Sequence, residues 1–168
     1  TGSSVVVETN GVQDLPDGQQ SITAIATEPG ESPSDPSPSL LIEVDTTASL
    51  ASGGADLQPG SDTGASSFDD VTAAQDLDFD VDRSSAYFRF YRNGTLVSNP
   101  YAGGTTFSLP DEFEGTHQYL TREVDAAGNL SAPSPDLQVT VDRTSPGMPS
   151  MPDLVSGNDT GVSSSDNV

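Results

Sequence analysis

The residues of this chain best suited to chemistry are aspartates, and they recur in sets. An aspartate closes an alternating apolar segment at Asp45 and again at Asp142. An Asp-Thr-Gly triplet begins at Asp62, with Asp69 and Asp70 beyond it, and again at Asp159, with Asp166 and Asn167 beyond it. A third acidic element is the turn Asp125-Ala126-Ala127-Gly128-Asn129, whose upstream counterpart is Glu28-Pro29-Gly30-Glu31. In a sandwich fold the turn and the following strand end are expected to approach one pole, where the next repeat's opening loop begins. Carboxylates from three segments would then converge, repelling by roughly 1 kcal/mol per close pair in water and more where solvent is withdrawn. A hard divalent cation removes that cost, and Ca2+ suits a site of many flexible oxygen ligands. Zinc is disfavoured, because the chain has no Cys and a single His, His117. The competing account is that the aspartates cap turns through Asx-type hydrogen bonds. Both accounts stay open at the level of residues.

Catalysis has little support. Asp62-Thr63-Gly64 matches the triplet of aspartic proteases, but it occurs twice in a loop, and that enzyme's fold is far larger. No serine sits in a nucleophile elbow, and the one histidine lies beside a strand start. The expectation is a protein that is not an enzyme.

The spacing of the aspartates sets the organisation. Asp45 to Asp142, Asp56 to Asp153 and Asp62 to Asp159 all differ by 97 positions. A period of this length is too long for a solenoid repeat and matches one small all-β domain, so the chain reads as a slice of a tandem array. Residues 1–46 supply the second part of a first repeat, 47–143 a complete repeat, and 144–168 the start of a third. The second junction is stiffened by Pro146, Pro149 and Pro152. The first has Gly53-Gly54 and no proline, so a looser backbone is expected there.

Alternation supplies the elements. In Leu77-Asp78-Phe79-Asp80-Val81-Asp82 the apolar residues face one side and the acids the other. Ala86, Phe88 and Phe90 share one face of the next segment, and Tyr87, Arg89 and Tyr91 the other. Asn93-Gly94 then predicts a tight hairpin. Segment 117–124 places Tyr119, Thr121 and Glu123 inward, with Glu123 awkward there, and Leu120, Arg122 and Val124 outward. Leu137, Val139 and Val141 complete the core face. About seven strands with short turns predict an all-β fold, an immunoglobulin-like β-sandwich repeated in tandem.

Composition narrows the partners. Acidic residues number 26 against 5 arginines and no lysine, a formal charge of -21. Such a chain repels nucleic acid and anionic membranes. No apolar run is long enough to insert in a bilayer, and no signal peptide is evident. Low hydrophobic content, 32%, would fit disorder, but the alternating strands argue against it for the middle of the chain.

These motifs resemble those of the bacterial immunoglobulin-like repeats of giant surface adhesins, including the extender regions of RTX adhesins. The matching residues are Val44-Asp45-Thr46-Thr47, Ser61-Asp62-Thr63-Gly64 with Asp69-Asp70-Val71-Thr72, Asn93-Gly94, and the turn starting at Asp125. The resemblance implies a spacer in a secreted, cell-surface adhesin that supports adhesion and biofilm formation, with Ca2+ at domain junctions and neighbouring repeats as partners. It implies Asp45, Asp62, Asp69 and Asp70 as ligands at the first junction. At the second it implies Asp125, Asp142, Asp159 and Asp166. The alternatives are a module gripping a glycan or protein through Tyr87, Arg89 and Tyr91, and an accessory domain of a secreted hydrolase.

Overall fold

The computed structural model describes residues 15–163 and 167. Ten strands follow in order: β1 Gly18–Ile22, β2 Leu40–Val44, β3 Gly54–Leu57, β4 Val71–Thr72, β5 Leu77–Asp82, β6 Tyr87–Arg92, β7 Thr95–Leu96, β8 Thr106–Leu109, β9 Gly115–Val124 and β10 Leu137–Val141. Among the described residues there is no helix. Strands β3 to β10 form two sheets, ordered β3-β5-β8 and β4-β10-β9-β6-β7.

The period-two pattern decides which side chains meet between the sheets. In β5, Leu77, Phe79 and Val81 are buried while Asp78, Asp80 and Asp82 are exposed. Across the gap, Phe88 and Phe90 of β6 are 1% and 0% exposed, whereas Tyr87 is 36% exposed, so the expected register holds. The aromatic centre is tight: Phe79 lies 5.0 Å from Phe90 and 4.8 Å from Tyr119, and Phe90 stacks on Phe107 at 4.5 Å. Each such pair is worth about 0.5–1.5 kcal/mol beyond its buried area. Val139 and Val141 are buried as expected, and Leu137 packs against the cluster from a partly buried position. Asn93 and Gly94 take φ of 48° and 78°, the left-handed pair that a two-residue hairpin needs.

Two sequence expectations are corrected. Val124 is fully buried rather than outward, because the chain folds back over the strand end and pairs Leu130 with it. Gly54 is not loose linker: it is buried in β3 opposite Asp82. Ser49 and Ser52 also reach the sandwich, through Ser85 and Thr121.

Strands β1 and β2 form a separate antiparallel pair. Their register repeats that of β9 and β10: Gly18 faces Val44 as Gly115 faces Val141, and Ile22 faces Leu40 as Tyr119 faces Leu137. The side-chain braces recur too. Ser34 and Ser37 accept from the amides of Ala26 and Ala24, as Ser131 and Ser134 accept from those of Glu123 and Thr121. Ile22 and Leu40 are nonetheless 42% and 61% exposed, since among the described residues no second sheet covers them.

Candidate functional site

The two poles of the sandwich hold different acids. β9 runs from Gly115, opposite Val141, to Val124, opposite Tyr87. The turn after it therefore lies at the pole where the chain enters, and β10 returns to end at the other pole. A hairpin turn and the far end of its second strand are separated by the strand's length, so the expectation that both approach one pole is wrong. Asp125 sits by the first junction, not the second: the Asn129 side-chain amide donates to the Asp45 carbonyl at 2.9 Å. A cleft of about 280 Å³ lined by Glu43, Asp45, Ala126 and Ala127 lies at the same place.

Asp125 is committed to its own turn. Its Oδ1 accepts the backbone N–H groups of Ala127, Gly128 and Asn129, and its Oδ2 accepts the Asn129 amide at 2.9 Å. The Asn129 bond, with the turn amides, holds this carboxyl below its ordinary pKa despite some burial. Asp45 caps Thr47 N at 3.0 Å, and Asp142 caps Thr144 N at 2.9 Å. Asp17 clasps the first junction from the other side, accepting from Thr46 and Thr47, whose hydroxyls lower its pKa.

Asp62, Asp69 and Asp70 lie elsewhere, in the loop that crosses from β3 in one sheet to β4 in the other. β4 runs parallel to β10, and the Asp70 carbonyl accepts from Thr140 N at 2.8 Å. These acids thus flank the strand that ends in Asp142 and are not gathered with Asp45. The loop is closely folded. Thr72 Oγ1 donates to the Ser61 carbonyl, and the Thr63 hydroxyl meets Thr72 at 3.0 Å. A Cβ on Gly64 would strike the Val71 carbonyl oxygen, so only glycine fits there. Asp62 Oδ2 accepts from Asp69 N at 3.1 Å and Asp70 N at 3.2 Å, and Asp69 Oδ1 caps Val71 N. Asp62 is 4% exposed, and its Oδ1 has no hydrogen-bond partner among the described residues. Burial, then the charges of Asp56, Asp62 and Asp69, push the Asp70 pKa up.

The later copy repeats this posture. Asp159 is 4% exposed, its Oδ2 accepts from Asn167 N at 3.3 Å, and its Oδ1 likewise has no partner among the described residues. Asn167 takes φ 61° where Asp70 takes 57°. Asp166 lies outside the described residues. Among the described residues, no three His, Cys, Asp or Glu side chains form a group able to hold a metal.

Sequence reasoning missed three polar residues that the fold uses. Glu112 is 1% exposed and binds Arg92 and Tyr119. Asn129 had read only as a turn residue, yet it reaches the preceding junction. Asp56 had appeared as a repeat marker and not as a neighbour of Asp70. Of the outward-facing trio Tyr87, Arg89 and Tyr91, Tyr87 packs edge-on against Tyr101 at 5.5 Å, and Arg89 donates to the Pro100 carbonyl. Both residues are therefore occupied within the domain.

A three-stranded antiparallel sheet facing a five-stranded one, with β3 and β4 in different sheets, defines an immunoglobulin-like β-sandwich. The chain belongs to the bacterial Ig-like domain family, whose profile matches residues 49–143. A comparison with curated proteins gave no match.

Proposed function

We propose that the chain is an extender segment of a long secreted bacterial surface adhesin. Its Ig-like repeats stand in tandem, are stiffened by Ca2+, and hold a terminal binding region away from the cell in adhesion and biofilm formation. The observation that carries this reading is recurrence at a spacing of 97 residues. Strand register, serine braces, Asx caps and the buried aspartate all return at that interval. A chain built by repeating one domain gains length, and its neighbours are copies of itself. Ca2+ is the cation that suits an acidic, oxygen-rich chain without cysteine. The role is mechanical and needs no catalytic group.

Small-angle scattering of the full chain tests it. The maximum dimension is expected to be larger in millimolar Ca2+ than in EGTA, and to recover on adding Ca2+ back. Equal dimensions in the two conditions would remove Ca2+ stiffening from the reading.

A further inference from the structure

We infer that the outer face of the five-stranded sheet docks a second copy of this chain, with Arg89 and Arg122 seated on the acidic outer face of the copy's three-stranded sheet. The inference needs neither Ca2+ nor the extender role, and it gives the chain a partner beside it rather than before or after it.

Charge is segregated between the two outer faces. The outward positions of β6, β7, β9 and β10 hold Arg89 and Arg122 among aromatic, aliphatic, hydroxyl and amide side chains, and not one carboxylate. In a chain with 26 acids against 5 arginines, such a face stands out. The outward positions of β3, β5 and β8 hold Asp56, Asp78, Asp80 and Asp82, and no basic residue.

Each face also sets its like charges in an unfavourable register. Arg89 stands directly opposite Arg122 across β6 and β9, and Asp56 directly opposite Asp80 across β3 and β5. Like charges so placed destabilise a sheet. No ion pair within the domain relieves either pair: among the described residues, the carboxylate that meets a basic side chain is that of Glu112. The two arginines instead lean apart. Arg89 Nε donates to the Pro100 carbonyl at 3.1 Å, and Arg122 Nε to the Ser131 carbonyl at 2.7 Å. Those bonds use one N–H of each guanidinium, and the terminal nitrogens have no partner among the described residues. On the acidic face, Asp80 and Asp78 receive neutral donors, the Gln58 amide and the Ser108 hydroxyl.

A second copy supplies what each face lacks. A guanidinium pairs with a carboxylate through two parallel hydrogen bonds, and arginine and tyrosine are enriched where proteins meet. Tyr87 and Leu96 are exposed on the same face, so docking would shield the new ion pairs from water. The net charge of -21 opposes approach at long range. At physiological ionic strength, however, the Debye length is about 8 Å, so that repulsion is largely screened while pairs in contact persist.

The two faces lie on opposite sides of one sandwich. The contact is therefore heterologous and does not close on itself, and copies stack front to back in a row. The basic face belongs to this domain and not to the repeat, since Ile25 stands 97 positions before Arg122. The contact thus sets the same domain of separate chains side by side.

The test uses the full chain in EGTA, which excludes bridging by Ca2+. Sedimentation equilibrium at physiological ionic strength is expected to show a mass that rises with concentration. Backbone amide NMR is expected to show concentration-dependent shifts on β6 and β9 and on β3 and β5 together. Arg89→Glu with Arg122→Glu should abolish association, and so should Asp78→Arg with Asp80→Arg. Mixing the two double variants should restore it, because each then offers the face that the other lacks, while both remain net acidic. If a variant fails to fold, the amide shifts of the unaltered chain decide. A mass that stays constant up to millimolar chain, shifts on one face only, or folded double variants that do not associate when mixed would overturn the inference. Binding of polyglucuronate to the arginine face of a chain that stays monomeric would assign the face to an acidic polysaccharide and overturn it as well.

Discussion

The Tyr119 hydroxyl donates to Glu112 Oε2 at 2.9 Å, deep at the pole opposite the chain's entry into the sandwich. Glu112 also accepts from Arg92 Nη1 at 3.0 and 3.2 Å and from Phe113 N at 3.1 Å, and His117 Nε2 lies 3.6 Å away. Burial, then the bond to Glu112, pushes the tyrosine pKa up, so the hydroxyl stays a donor at all ordinary pH.

Removing one partner from this network is therefore expected to destabilise the domain. Tyr119→Phe leaves a buried carboxylate short of one donor, a loss of about 1–3 kcal/mol. Glu112→Ala strands Arg92 and the tyrosine together, and about 3–5 kcal/mol is expected. Urea unfolding with unchanged m-value measures both. Equal stability of Tyr119→Phe and the parent would mean that the bond contributes nothing net.

Glu123 predicts the pH response. Burial raises its pKa, but the amides and hydroxyls of Ser84 and Ser85 outweigh burial, and the net shift is downward. The unfolded chain then takes up this proton before the folded one does as pH falls. The stabilisation is fully present above the unfolded carboxylate pKa, about 4.3, and is lost as pH drops through the folded value. The stability gap between the parent and Glu123→Gln should thus be widest near neutrality and close in acid. Comparison with the variant matters because protonation also relieves the repulsion of a -21 chain. A gap that is constant from pH 7 to 3 would contradict the argument.

Asn129 predicts a junction effect separable from stability. Its amide joins Asp125 to the Asp45 carbonyl. Asn129→Ala should cost the fold only about 1 kcal/mol. It should also loosen β1–β2 relative to the sandwich, which residual dipolar couplings would report as a drop in shared alignment. Unchanged couplings would mean that other contacts set the junction.

Ca2+ should raise the melting temperature, and EDTA should reverse the rise. An ion that binds only the folded form stabilises by about 2.7 kcal/mol at a hundredfold excess over Kd. Superimposable melting curves would count against any Ca2+ site in this chain.

The sequence by itself determined the local pattern. Alternation in 77–82 and 86–92 named the core side chains, because the period of two follows from strand geometry alone. Asn93-Gly94 specified its hairpin through the left-handed dihedrals that both residues tolerate. Even the inward placement of Glu123 was legible, because segment 117–124 sets it on the same face as Tyr119 and Thr121.

Only the tertiary structure decided which polar groups meet. Ser84 and Ser85, nearly forty positions before Glu123, turned an awkward buried acid into a satisfied one. The antiparallel return of β10 sent Asp125 and Asp142 to opposite poles, so their closeness in sequence misled. β4, two residues long and parallel to β10, carries no alternation to detect, yet it draws the Asp62 loop to the sheet edge. Nor does spacing reveal that Asp45, Asp125 and Asp142 spend oxygens on turn caps while Asp62 and Asp159 each keep one buried, with no partner among the described residues. Hydrogen-bond partners are fixed by how distant strands stack, and that information exists only once the sheets have closed.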